Sequence, residues 1–218
     1  MSIQKTIGII GSGALGASIA RALAAKGIAA TISNRRGPAS LASLVADLGP
    51  SIRAGTTREA AAADIVIVAV RWVDIPDALN RLPAWNGRIV IDATNPVRFL
   101  EPGSPEMNDP SNPLAAYGIK AVDLGGLHSS RVFSEFVPGA RVVKAFNHLA
   151  AEALATSELA GGRRVLFFAG DDAAAKSDVR ALLDTAGYFP IDLGPLDVGG
   201  PLISLPFGAL GTHDVAKV

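Results

Sequence analysis

The sequence contains no cysteine. That excludes disulfides, thiolate metal ligands and a cysteine nucleophile, and it leads us to expect a cytoplasmic protein. Charge of one sign is not in excess either. Lys+Arg and Asp+Glu each total 20 in 218 residues, a formal net charge of zero, so neither nucleic acid nor an anionic membrane is an expected partner. Charged residues make up 18% against 49% hydrophobic, which allows a large core and argues against disorder. No apolar run reaches membrane-spanning length. The basic, apolar and cleavage-site succession of a secretory signal is missing from the first residues. Three scattered histidines make no metal cluster. A GxSxG elbow and a GxxxxGKS/T loop are also missing, which sets aside serine hydrolysis and P-loop phosphoryl transfer.

What is present is a glycine loop in the right surroundings. Gly11, Ser12, Gly13, Ala14, Leu15 and Gly16 follow an apolar strand at 6–10 and open an Ala-rich helix, where Leu15, Ile19 and Leu23 recur at i, i+4 spacing. Glycines at this spacing let the backbone turn tightly and approach a pyrophosphate at a helix N-terminus. The second strand, 28–32, ends in Ser33, Asn34, Arg35 and Arg36, where a NAD site carries Asp or Glu. A carboxylate there binds a free ribose 2′-hydroxyl, whereas hydroxyl, amide and guanidinium groups attract a 2′-phosphate. The expected cofactor is therefore NADP(H).

Strands and helices alternate through the first two thirds of the chain. The pattern predicts helices at 38–48, 56–63 and 74–82, with Thr56 and Glu59 spaced as a capping box. It predicts buried strands at 64–70 and 88–92. Residues 95–112 hold four prolines and read as a loop at the ligand edge, a lid or a plain insertion. Beyond lie expected strands at 120–124, 141–146, 164–169 and 188–193, and helices at 130–137, 149–159 and 172–186. The fold class is α/β, a doubly wound parallel sheet of Rossmann type. Residues 1–147 are expected to form the dinucleotide-binding domain. Residues 148–218 are expected to form a smaller α/β portion that can extend the same sheet and contribute to a dimer.

The loops after the strands carry the remaining candidates. Val70, Arg71 and Trp72 follow the fourth strand; Arg71 can clamp a diphosphate and Trp72 can stack on a flat ring, or both can be ordinary rim and packing residues. Asn95 and Pro96 follow the fifth strand, where the Thr94 hydroxyl and the Asn95 amide can hold a nicotinamide carboxamide or simply make a turn. Asn147 and His148 follow the strand at 141–146, and His148 is the best placed proton donor. His128 and His213 are weaker candidates.

The stretches 7–16, 33–38, 63–72, 90–96, 142–147 and 168–172, in this order, resemble the NADPH-dependent coenzyme F420 reductase family, and also the NADPH-binding domain of membrane metalloreductases. The resemblance implies a Rossmann domain and NADP(H). It implies hydride transfer between nicotinamide and coenzyme F420 or a flavin, a small-molecule redox acceptor, in a homodimer. It also implies that Ser33, Asn34 and Arg35 hold the 2′-phosphate and that Asn95 and Asn147 lie near the rings. Arg71 departs from the family, which has proline there. Two alternatives stand beside this reading. One is NADPH-dependent reduction of a small imine, ketone or ferric chelate, and the other is a non-catalytic NADP(H) sensor.

Overall fold

A computed structural model describes residues 5–218. Strands β1 (Ile7–Ile10), β2 (Ala30–Ser33), β3 (Ile52–Ala54), β4 (Ile65–Val68) and β5 (Ile89–Asp92) lead into a short ribbon. There β6 (Val97–Phe99) pairs antiparallel with β7 (Ile119–Ala121), apart from the main sheet. Further strands β8 (Arg141–Ala145), β9 (Glu158–Leu159), β10 (Gly162–Gly170), β11 (Phe189–Asp192) and β12 (Ala216–Lys217) complete a ten-stranded main sheet. Its order is β11-β10-β8-β5-β4-β1-β2-β3, with β9 and β12 on β10. From β3 across to β8 every pairing is parallel.

Helices α1 (Ala14–Ala25), α2 (Ala42–Leu48), α3 (Thr57–Ala61), α4 (Ile75–Leu79), α5 (Ser129–Phe136), α6 (Ala173–Thr185) and α7 (Leu196–Ile203) cover both faces. The alternation of strand residues divides the core in two. Ile65 and Ile67 join Ile19, Leu23 and Leu182 on one face, while Val66 and Val68 join Trp72, Ile75 and Phe133 on the other. The capping box at α3 is formed as its spacing predicts, with Thr56 and Glu59 satisfying each other's backbone N–H groups.

The expected doubly wound α/β sheet is present and mostly parallel, with β10 antiparallel to β8. No helix carries the chain between them back to the far edge, so β10 starts at the edge where β8 ends. The expected helix at 149–159 is a loop with one 3-10 turn, Ala153–Ala155, and ends in β9. Carbonyls that a helix would use internally are taken by distant residues. The buried Arg164 guanidinium donates to Ala153 and Thr156, and the Tyr188 hydroxyl donates to Leu154. The expected helix at 38–48 is a 3-10 turn followed by α2. Between β6 and β7 the proline-rich loop is ordered by the Arg98–Glu106 and Lys120–Asp109 ion pairs.

Candidate dinucleotide-binding site

The ends of β1, β2, β4, β5 and β8 bring the candidate residues to one edge of the sheet. At β1 the three loop glycines have different reasons to lack a side chain. A Cβ on Gly11 (φ +113°) would lie 2.2 Å from the Ala69 carbonyl oxygen, and one on Gly16 would lie 2.0 Å from the Gly11 carbonyl oxygen. These two press the β1–α1 turn against the end of β4. Gly13 has nothing within 4 Å of that position. It is exposed at the N-cap of α1, with no side chain capping the helix. Open space above free N–H groups suits a phosphate. Ser12 and Leu15 flank it half-buried, and Ala14 is exposed.

At the end of β2 the hydroxyl of Ser33 points inward. It is fully buried and donates to the Ile9 carbonyl at 3.1 Å, so it faces β1 and is unavailable to a phosphate. Asn34 instead organises the loop. Its amide nitrogen donates to Ser12 Oγ and Ser40 Oγ, each at 3.1 Å, and its carbonyl accepts from the Arg36 N–H at 2.9 Å. The glycine loop and the basic turn are thus tied together, and Ser40 joins them. The sequence reading missed Ser40; a serine in the first turn after Gly37-Pro38 was the available signal. Arg35 and Arg36 are exposed beside this cluster.

At the end of β4, Val70 is half-buried and Arg71 is held by Asp74, with Nε at 2.7 Å from a carboxylate oxygen. Trp72 is buried in the core with Ile10, Val68 and Ile75 and presents no free face for stacking. At the end of β5, Thr94 Oγ1 donates to Asp92 Oδ1 at 2.6 Å. Asp92 and Lys144 are both fully buried, with Lys144 Nζ 2.9 Å from Asp92 Oδ2. The sequence analysis passed over this pair, although each is the charged residue of an otherwise apolar strand interior. Asn95 donates to the Asn147 backbone carbonyl at 2.7 Å and accepts from Asn147 Nδ2 at 2.9 Å, so the two residues hold each other, while the buried Asn147 Oδ1 has no partner among the described residues. Pro96 is buried behind them.

At the end of β8, Phe146 takes a left-handed backbone conformation (φ +66°), uncommon for a bulky residue, and turns the chain into Asn147. His148 has no exposed surface, packs against Phe167, and among the described residues has no partner on either ring nitrogen. Burial pushes its pKa down to about 4. The ring is therefore neutral at pH 7 and does not reach the edge where a substrate would lie. His128 caps α5 by accepting from the Arg131 N–H, and His213 is exposed near the C-terminus.

Comparison with known proteins gives these features a common context. A family model described as NADP oxidoreductase, coenzyme F420-dependent, matches residues 6–96, from the end before β1 through Pro96. The crystal structure of a hypothetical protein, SMa0349, from Sinorhizobium meliloti is 38% identical, with a TM-score of 0.85 over 99% of this chain and 97% of that one. A putative F420-dependent NADP-reductase from Arthrobacter sp. FB24 is 26% identical, with a TM-score of 0.67 over 98% of this chain and 100% of that one. Residues 6–96 thus carry the pattern of the coenzyme F420-dependent NADP oxidoreductase family, and the likeness to the Arthrobacter protein runs along nearly the whole chain. Metalloreductase STEAP3 of Rattus norvegicus is 25% identical over 211 residues, and the chain spans 38% of its length.

In keeping with that likeness, the chain has residues that fit NADP(H). The open space at Gly13 accommodates a pyrophosphate, and the exposed guanidinium groups beside Asn34 and Ser40 complement a phosphate monoester. Among the described residues no group of three His, Asp or Glu side chains is placed to hold a metal ion. No helix among them is long and apolar enough to cross a membrane. A cavity of about 760 Å³ opens at the opposite edge of the sheet, lined by Lys26, Arg53 and Thr185, away from the glycine loop.

Proposed function

We propose that this protein transfers a hydride between NADP(H) and a flat redox ring, coenzyme F420 or a flavin. The observation that carries the reading is the shared edge: glycine loop, basic turn and the Asn95–Asn147 pair stand at the ends of β1, β2, β5 and β8. Bound nicotinamide supplies the hydride. The N–H groups around Gly13 bind the pyrophosphate, Arg35 with Asn34 and Ser40 binds the 2′-phosphate, and the β5 and β8 ends orient the reacting ring. Holding two rings in register in a dry cleft supplies most of the rate, by proximity and orientation. Reduction of an imine or ketone calls for a proton donor beside the acceptor. His148, neutral and sealed in the core, is a poor one, and this supports the ring acceptor over the carbonyl one. A ferric chelate takes one electron at a time, so a hydride donor reaches it only through an intervening ring.

The test is incubation of purified protein and NADPH with F420, FMN, a cyclic imine and a ketone, following each chromophore separately. Oxidation of NADPH with F420 or FMN supports the reading; oxidation only with the imine or the ketone overturns it. Exposed Val198 and Leu202 on α7, together with Leu127 and Phe207, support a homodimer, which sedimentation of the purified protein checks.

A further inference from the structure

The buried ion pair beneath the ring end of the site has more contacts than an ion pair requires. Asp92 and Lys144 are register partners on neighbouring parallel strands, so β-structure alone sets their side chains together on one face. Lys144 Nζ donates to Asp92 Oδ2 at 2.9 Å and also to the Thr94 carbonyl at 3.0 Å. Asp92 Oδ1 accepts from both the N–H and the hydroxyl of Thr94, at 2.9 and 2.6 Å. All the bonds beyond the pair itself converge on Thr94. Removing two charges from water is expensive, and well-packed apolar residues of similar volume often serve stability as well or better. The specific work of this pair is to fix the turn that leaves β5.

That turn delivers Asn95, and Asn95 is where α7 is moored. Asn95 Oδ1 accepts from the Leu205 N–H at 2.9 Å, and Asn147 Nδ2 donates to the Ile203 carbonyl at 2.7 Å. Ser129 Oγ and Ser204 Oγ meet at 2.7 Å between these two anchors. Helix α7 lies directly over the lysine stem. A Cβ on Gly200 would sit 3.2 Å from Ser130 Oγ and 3.9 Å from Lys144 Cδ. Hydrogen bonds from the buried pair to Thr94, the peptide link from Thr94 to Asn95, and hydrogen bonds from Asn95 and Asn147 thus connect the pair to residues 203–205.

We propose that Lys144 and Asp92 are positioning residues whose buried pair sets the Thr94–Asn95 turn and, through Asn95 and Asn147, holds the segment after α7 at the ring end of the site. The inference rests on the site reading above for its catalytic consequence, and on hydrogen bonding alone for its structural one.

The experiment compares the wild type with the double variant Asp92→Leu/Lys144→Met and with Asp92→Lys/Lys144→Asp, which keeps opposite charges but exchanges the donor and acceptor ends. In both, amide hydrogen exchange at 203–205 rises at least tenfold while exchange in β4 stays unchanged. NADPH binding stays within about threefold of wild type, and single-turnover hydride transfer to F420 or FMN slows at least tenfold. Wild-type exchange at 203–205 in the apolar double variant overturns the proposal, as does full rescue by the exchanged pair, since either outcome leaves the pair a structural filler. Thr94→Val removes only the hydroxyl donor and serves if the double variants do not fold. It raises exchange at 203–205 about threefold, and no rise overturns the proposal equally. A wild type that reduces neither F420 nor FMN removes the acceptor reading and leaves the exchange result to decide this one.

Discussion

Asn147 donates its side-chain amide to Asn95 Oδ1 at 2.9 Å, and Asn95 returns its own amide to the Asn147 backbone carbonyl at 2.7 Å. The two asparagines thereby close the ends of β5 and β8 on each other. Because Asn147 Nδ2 also serves the Ile203 carbonyl, the amide cannot be turned over without setting its oxygen against two acceptors. Asn147→Ala is expected to destabilise the fold by about 1–3 kcal/mol, the cost of buried groups left unpaired. Asn147→Asp should cost more, since a buried carboxylate would face those acceptors. Urea unfolding of the two variants decides the point, and equal loss in both would remove the donor role from Asn147 Nδ2.

Cofactor choice should follow Arg35 and not Ser33. Arg35 is exposed beside the Asn34–Ser40 cluster, whereas the Ser33 hydroxyl is spent on the Ile9 carbonyl. A charge-assisted contact to a phosphate is worth roughly 1.5–3 kcal/mol. Arg35→Glu is therefore expected to weaken NADPH roughly 100-fold while NADH changes little. Ser33→Ala should leave the NADPH to NADH ratio as it is and cost about 1 kcal/mol of stability. Calorimetric titration with both dinucleotides tests the pair; equal loss of NADPH and NADH in Arg35→Glu would remove the phosphate contact.

The glycine loop separates packing from binding. Gly16→Ala would drive a Cβ to 2.0 Å from the Gly11 carbonyl oxygen, and the overpacked turn should lose about 1–3 kcal/mol or more. Gly13→Ala meets open space and should stay within about 1 kcal/mol of wild type. It should nonetheless weaken NADPH about tenfold or more, because its methyl group enters the space a pyrophosphate would take. Thermal unfolding and dinucleotide binding, measured on the same two variants, should rank them in opposite orders.

Much of this architecture was legible because it is local. The runs of Ile and Val in β1, β4 and β5, the glycine loop and the Thr56–Glu59 box each declare themselves within a few residues. What escaped depends on partners far along the chain. Residues 149–159 have helix-forming composition, yet Arg164 and Tyr188 claim their carbonyls, a tertiary override of propensity. The direction of β10 depends on which edge the preceding loop occupies, and no short pattern encodes that. At the site, Asn34, Arg35 and Asn147 could be named from strand endings, but which way each side chain points could not. Ser33 turned inward, Trp72 joined the core and Asn95 became a staple, because a strand's last side chain alternates faces with a one-residue shift in where the strand stops.

The buried His148 gives the fold a pH dependence with a definite sign. Its folded pKa is depressed to about 4 by burial, from an ordinary value of 6.5. Between those values the unfolded chain binds a proton that the native protein refuses, so stability rises with pH across the window and is complete above it. At 1.36 kcal/mol per unit the loss on going from pH 7 to pH 4 is about 3 kcal/mol. The carboxylates of Asp64 and Asp172, both held below their usual 3.8 by hydrogen bonds to backbone N–H groups, lose their contribution only at lower pH. The window from 4 to 6.5 is therefore separable from theirs. His148→Leu, which fills the same pocket against Phe167 without a titrating ring, should flatten the stability profile in that window. Urea unfolding at a series of pH values measures it, and a variant that keeps the wild-type slope between pH 4 and 6.5 would assign the effect to another group.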